Sequence, residues 1–401
     1  MLYFGQLLFI GAFALSPLFL IPEARSSEIQ AQAAQTLLRL DQESTLVAAM
    51  KSRADISKDL SADGAMGANL LWEQDPRTHP VWYVEEQRSG FTAALGAALN
   101  HSPLLAQQAE KAFEWAFRHQ NEDGSFNMPS RVPIGRQIHS TALFIEAASH
   151  GLLLMEASGM DPDYVTRRGR DLVRAALYLS RTVEGSPQGI ASLSEAAKIY
   201  DQGHAHRLYE KAAALLEASA FAQRDPEKAL LIRVADLCIS QALDPQNPLA
   251  QVKEGSFRGK DAHGESFTTS LKGVNPENDH PSDPTRPLHQ SYDSSYEALG
   301  LYYASLYVAI TQNPDLKAKA ITLLSTAMGW EASRMLLDGR ADLRGNTRIS
   351  DQGSEQDPSG KPKVFGYQTA MFVFSYAGVL LNEPGYRKVS QAIARLRHWV
   401  H

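Results

Sequence analysis

Three short stretches carry side chains able to move a proton beside groups able to hold a ligand. They are Arg136-Gln137-Ile138-His139-Ser140, the run His289-Gln290-Ser291-Tyr292-Asp293 continuing to Tyr296, and Phe365-Gly366-Tyr367-Gln368-Thr369. Each sets an imidazole or a phenol next to amides or hydroxyls. A fourth stretch, Arg340 to Glu355, is denser, with Asn346, Arg348, Asp351 and Glu355 around Gly345 and Gly353. Arg348 offers a planar two-pronged donor that matches a carboxylate, and Asn346 can assist it.

Two chemistries suit this inventory. The first is β-elimination at a uronate. It needs a group that neutralises the carboxylate, so that the C5 proton becomes acidic, and a Tyr or His that moves protons. Arg348 and Asn346, with Arg136 and Gln137, fit the first role, and Tyr292, Tyr296 and His139 fit the second. The other chemistry is glycoside hydrolysis by two carboxylates on opposite sides of the bond, for which Asp123, Asp293 and Glu355 are the candidates. Trp82 and Arg131 lie in polar loops with other aromatics and suit the binding of sugar rings. Each residue also has an ordinary structural use: Asp293 as a helix cap, Tyr296 as core, Trp82 as a loop anchor. Elimination is slightly favoured, because cations gather in the loops of an otherwise acidic chain.

The elements that must position these groups are helices. Apolar periodicity predicts them near 29–55, 89–100, 103–119, 137–157, 163–184, 187–222 (broken around Gly203), 225–242, 293–312, 314–335, 366–380 and 385–400. Ser102-Pro103, Asp161-Pro162, Asp225-Pro226 and Asn313-Pro314 place proline at or near a first helical position, where its missing N–H costs nothing. Connections 101–102, 223–224, 313 and 381–384 are very short, whereas 56–88, 120–136, 243–292 and 336–365 are long. If 187–222 counts as one helix, the helices alternate and every long loop leaves from the same end. His139, Tyr292 and Arg348 are then expected to converge on one pit.

The segment Trp115-Ala-Phe-Arg-His-Gln-Asn-Glu-Asp-Gly-Ser-Phe126 reads as a helix end, then a tight Asp123-Gly124 turn, then an aromatic. Related endings follow at Cys238-Ile-Ser-Gln241 with Lys253-Glu-Gly-Ser-Phe257, and at Trp330-Glu-Ala-Ser-Arg334 with Leu337-Asp-Gly339. In these endings the chain resembles the α/α-toroid proteins, many of which act on polysaccharides. The likeness spans most of residues 90–400 and is one of fold. It implies an all-α α/α toroid, an incomplete or complete ring of five to six helical hairpins with long loops on one face, and a polysaccharide or oligosaccharide, anionic in the favoured reading, as partner. It carries over no catalytic residue.

The bulk properties bound the rest. The 401 residues carry a net charge of −6, and 44% are apolar. A sizeable core is affordable, and no basic surface argues for nucleic acid. The single cysteine, Cys238, excludes an internal disulfide framework and reads as a small buried apolar residue. Residues 2–22 are apolar and precede Ala24-Arg25-Ser26, the pattern of a secretory signal removed near Ser26. This predicts a signal peptide over 1–26 and one domain over 27–401, periplasmic or secreted, with an N-terminal membrane anchor as the alternative. No later stretch reads as a membrane span. Phosphate-loop, dinucleotide, zincin and nucleophile-elbow motifs are absent. His263, Asp279, His280 and His289 match no compact ligand spacing, so neither metal nor cofactor is expected. The alternative of a different class is a non-catalytic envelope protein that binds a glycan or another protein.

Overall fold

The computed structural model describes residues 23–43, 54–126, 128–201, 204, 206–244, 294–343, 349–350, 353–354 and 364–396. These residues are mostly helical. The helices are α1 (Glu23–Glu43), α2 (Asn69–Gln74), a 3-10 helix (Val84–Ser89), α3 (Gly90–Asn100), α4 (Pro103–Arg118), α5 (Ile134–Ala157), α6 (Pro162–Ser180), α7 (Ala191–Asp201), α8 (His206–Ser219), α9 (Asp225–Leu243), α10 (Ser294–Ile310), α11 (Pro314–Ser333), α12 (Tyr367–Leu380) and α13 (Pro384–Ala394). A two-residue antiparallel pair, β1 (Ile349–Ser350) with β2 (Gly353–Ser354), is the sole named sheet among the described residues.

Helix starts follow local chemistry. Ser102, Asp161 and Asn313 each accept a hydrogen bond from the backbone N–H three residues on, and proline follows each of them. Such caps satisfy donors that the first helical turn leaves unpaired. Five hairpins result: α3/α4, α5/α6, α8/α9, α10/α11 and α12/α13. Their first members pack side by side in succession, α3 on α5, α5 on α8, α8 on α10 and α10 on α12, and the second members flank them. Phe91 of α3 and Phe372 of α12, with ring centroids 6.1 Å apart, bring the first and last of these helices into contact.

The first members run in one direction. His139 pairs with Glu210 near the starts of α5 and α8, while His150 faces Glu217 eleven and seven residues further along. At the starting end, Tyr296 lies on His206, and the Gly366 N–H donates to Ser295 Oγ. The first turns of α5, α8, α10 and α12 therefore adjoin.

The Asp-Gly turns do structural work. Gln120 bridges to Phe126 and Met335 to Ala341. Gly124 has φ +93°, and a side chain there would sit 2.1 Å from the Arg174 carbonyl oxygen of α6. Gly339 repeats this with φ +89° against Ala392 and Ile393 of α13. Only glycine combines that backbone with so close an approach. The turn of one hairpin thus seats on the second helix of the next.

Several expectations change. The predicted 29–55 helix ends at Glu43 among the described residues, and residues 54–68 are irregular. The 56–88 loop contains α2 and the 3-10 helix. The 187–222 region is two helices, α7 packing on α5 and α8 joining the central succession. The expectation that no later stretch is apolar enough to span a bilayer is also corrected. By length and composition α5 passes that test, and its apolar stretch is wholly buried, because helices pack around it. The Lys253–Phe257 turn lies outside the described residues.

Candidate functional site

A cavity of about 460 Å³ opens where α3, α5, α10 and α12 meet. Its polar lining comes from Arg88 and Ser89 ahead of α3, Glu146 of α5, Ser295, Tyr296, Tyr302 and Tyr303 of α10, and Gln368 and Thr369 of α12. Phe91, Leu299 and Phe372 supply apolar wall.

Arg88 is held in place by its neighbour. Gln87 is fully buried; its amide donates to the carbonyls of Gly64 and Ala112 at 2.7 Å, and its oxygen accepts from Met66 N and from Asn69. The 3-10 helix is thereby pinned to α4 and the preceding loop. The Arg88 guanidinium faces the cavity and, among the described residues, forms no hydrogen bond or ion pair. The residue as a whole is exposed; desolvation of its guanidinium opposes the charge, but the fields of Glu85, Tyr303, Glu86 and Glu210 outweigh that, so the group stays cationic.

Tyr303 is 3% exposed, and its hydroxyl has no hydrogen-bond partner among the described residues. Burial, reinforced by Glu146 and Glu210, holds it protonated well beyond the usual tyrosine range. Tyr302 donates to Glu146 Oε1 at 3.1 Å. The Glu146 carboxyl is pushed up to about 7 by burial. Tyr296 is half-buried at the cavity and stacks on His206 at 4.8 Å. Behind His206, with ring centroids 6.3 Å apart, is His139.

His139 Nδ1 lies 3.1 Å from Glu210 Oε1. Burial, reinforced by Arg207, lowers His139 to about 3, and burial raises Glu210 to about 8. Both partners are therefore neutral near pH 7. Asp201 differs. Burial opposes its ionisation, but Lys211 and Arg207 beside it outweigh that and hold the carboxyl below the usual range.

The residues singled out in the sequence are distributed as follows. Tyr296 lines the cavity, and His139 is two rings behind it. Arg136 pairs with Glu85, approaches Tyr200 and lies over the Tyr83 ring at 5.2 Å, so its charge is engaged. Gln137 donates to the Val132 carbonyl and fixes its own loop. Arg131 is exposed. Asp123 accepts from the N–H and hydroxyl of Ser125 within the turn on α6. Trp82 is 4% exposed and enclosed by Trp72, Trp115 and His119, so it presents no free face for a sugar. Tyr292, Asp293, Asn346, Arg348 and Glu355 lie outside the described residues, as does the His263–His289 set.

Arg88, Tyr303, Glu146 and Glu210 are additions made by the structure. Their signals were present in the sequence. Arg88 stands just before the first helix of a hairpin, at the helix end where the sequence also sets His139 and Tyr292. Glu146 and His150 interrupt the apolar run Ala142–Met155 at i and i+4, a spacing that puts two costly polar groups on one helical face. Glu210 and Glu217, at i and i+7, likewise put two costly polar groups on one face of the alanine-rich α8.

No protein-family model matches the chain, and no curated protein or solved structure matches it.

Proposed function

We propose that this chain is an exported carbohydrate-active enzyme that cleaves an anionic polysaccharide by β-elimination, on an α/α toroid built from the five hairpins. The observation that carries the reading is the Arg88 guanidinium, cationic and unpaired among the described residues, set on a cavity beside a partnerless Tyr303 hydroxyl. Arg88 is exposed to solvent on that cavity, and an unpaired cation so placed suits a carboxylate ligand. Arg88 would neutralise the uronate carboxylate and so acidify the C5 proton. Tyr296, half-buried on the cavity, would remove that proton as its phenolate and become the neutral phenol. Tyr303, held protonated, would donate its proton to the leaving oxygen as the C4–O bond breaks and the C4–C5 double bond forms. The succession of inner helices, with Phe91 meeting Phe372, supports a toroid. The apolar run 2–22 supports export.

Hydrolysis remains the second reading. Glu146 is the sole carboxylate on the cavity among the described residues, and an opposing one is required. Purified protein incubated with a panel of anionic and neutral polysaccharides separates the readings. Ultraviolet absorbance from an unsaturated uronate marks elimination, and reducing ends without that absorbance mark hydrolysis. Neither signal on any polymer, with binding retained, would move the assignment to a non-catalytic glycan-binding protein.

A further inference from the structure

Beneath the cavity floor, Glu146, His150 and Glu217 converge. Among the described residues, theirs are the ligating atoms that gather within 4.8 Å of one another, and all three side chains are buried. His150 and Glu217 are 0% exposed. Both carboxylate oxygens of Glu217, and Nδ1 of His150, are buried without a hydrogen-bond partner. The nearest approach between them is 3.8 Å, from His150 Nδ1 to Glu217 Oε1. The charges that act on Glu217 are repulsive, from Glu146 and Asp41. Buried carboxylates without partners are costly, and two occupants relieve the cost: a proton or a cation.

The imidazole decides between them. His150 Nε2 lies 3.1 Å from Asp41 Oδ2, and Asp41 also accepts from the Tyr376 hydroxyl. A carboxylate at Nε2 places the ring proton there and leaves Nδ1 as a lone pair facing the two glutamates. This is the outer-shell arrangement that orients metal-bound histidines. Tyr302 likewise fixes Glu146 through Oε1. An ion bonded at about 2.1 Å to each ligand spans at most ~4.2 Å between ligands, so a small inward rotation of the glutamates closes the set. One imidazole with two carboxylates suits zinc, and Mn2+ next, better than Ca2+ or Mg2+. Three protein ligands leave an open position, and Glu146 also lines the cavity.

We propose that Glu146, His150 Nδ1 and Glu217 form a binding site for one divalent transition-metal ion, Zn2+ by ligand chemistry, with Asp41 as the orienting outer carboxylate. The site does not depend on the reaction proposed above, and its test reads metal rather than turnover.

Untagged full-length protein is stripped with a chelator, equilibrated with Zn2+ alone and assayed for bound metal by mass spectrometry and titration calorimetry. The expected result is one tightly bound Zn2+ per chain and a raised melting temperature. Glu217→Gln and His150→Gln are expected to lose tight binding while circular dichroism stays native, and Asp41→Asn to weaken it ~10–100-fold. X-ray absorption of the wild type reports the ligands without any variant, and one imidazole among oxygens is expected. Absence of tight Zn2+ and Mn2+ binding overturns the proposal and leaves Glu217 protonated. Unchanged affinity in a folded Glu217→Gln, or a shell of two or more imidazoles, places the metal elsewhere and overturns it equally.

Discussion

Asp41 Oδ2 and His150 Nε2 lie 3.1 Å apart with both side chains fully buried, joining α1 to α5 across 109 positions of sequence. Tyr376 of α12 donates to the other Asp41 oxygen. One carboxylate thus ties together three helices that are remote in sequence. Asp41→Ala strands both partners in the core and should destabilise the fold by about 3 kcal/mol or more. Urea denaturation measures this; a loss below about 1 kcal/mol would mean that α1 is held by its leucines alone.

Arg88→Ala should cut turnover on the polymer identified by the panel by about 10–10²-fold, since a charge-assisted donor to the substrate carboxylate is lost from a solvent-exposed position. Tyr303→Phe should do the same while preserving packing. Melting temperatures of both variants should stay near wild type. If both remain fully active and Glu146→Gln is inactive, elimination gives way to hydrolysis.

Glu210 makes a pH prediction. Burial raises its folded value to about 8 from an ordinary 4.5, so between those pH values the native state binds more protons than the unfolded chain. Stability from this group is full below about 4.5 and is lost as pH rises through about 8. The groups facing it include His139, His206, Arg207, Lys211 and Asp201. His139 and His206 carry the opposite sign, because their lowered values withdraw stability as pH falls below about 6.5. Glu210→Gln should therefore gain stability relative to wild type between pH 6 and pH 9, on the order of a few kcal/mol. A constant difference across that range, by urea titration at each pH, would show that Glu210 ionises freely.

Gly124 and Gly159 separate two costs of adding a methyl group. Both have positive φ, but a side chain at Gly159 meets nothing within 4 Å, whereas one at Gly124 meets Arg174 O at 2.1 Å. Gly159→Ala should cost about 1 kcal/mol from backbone conformation alone. Gly124→Ala should cost clearly more, because the turn must lift from α6. Equal losses in thermal unfolding would mean that the docking contributes nothing.

Much of the helical layout was legible because its signals are local. Proline after Ser102, Asp161 and Asn313, and 3.6-residue apolar spacing, act within a few positions, so the starts of α4, α6 and α11 follow from neighbouring residues. Trp82 shows where such reading stops. Its type and loop position suit a sugar platform equally well as a core anchor, and only the approach of Trp72, Trp115 and His119 settled that its faces are covered.

The same limit applies to charge. By itself the sequence determined that Glu146, His150, Glu210 and Glu217 lie on apolar helices, a placement that burial makes costly. It could not determine that the faces of α5 and α8 meet, since that depends on side-by-side packing of helices more than fifty residues apart. The tertiary structure decided which buried group found a partner, His139 with Glu210 and His150 with Asp41. It also left Arg88 unpaired on the cavity among the described residues. Whether a charge is satisfied depends on distances of a few ångströms between segments that no local rule relates, because the interaction grows steeply as they close and water is excluded.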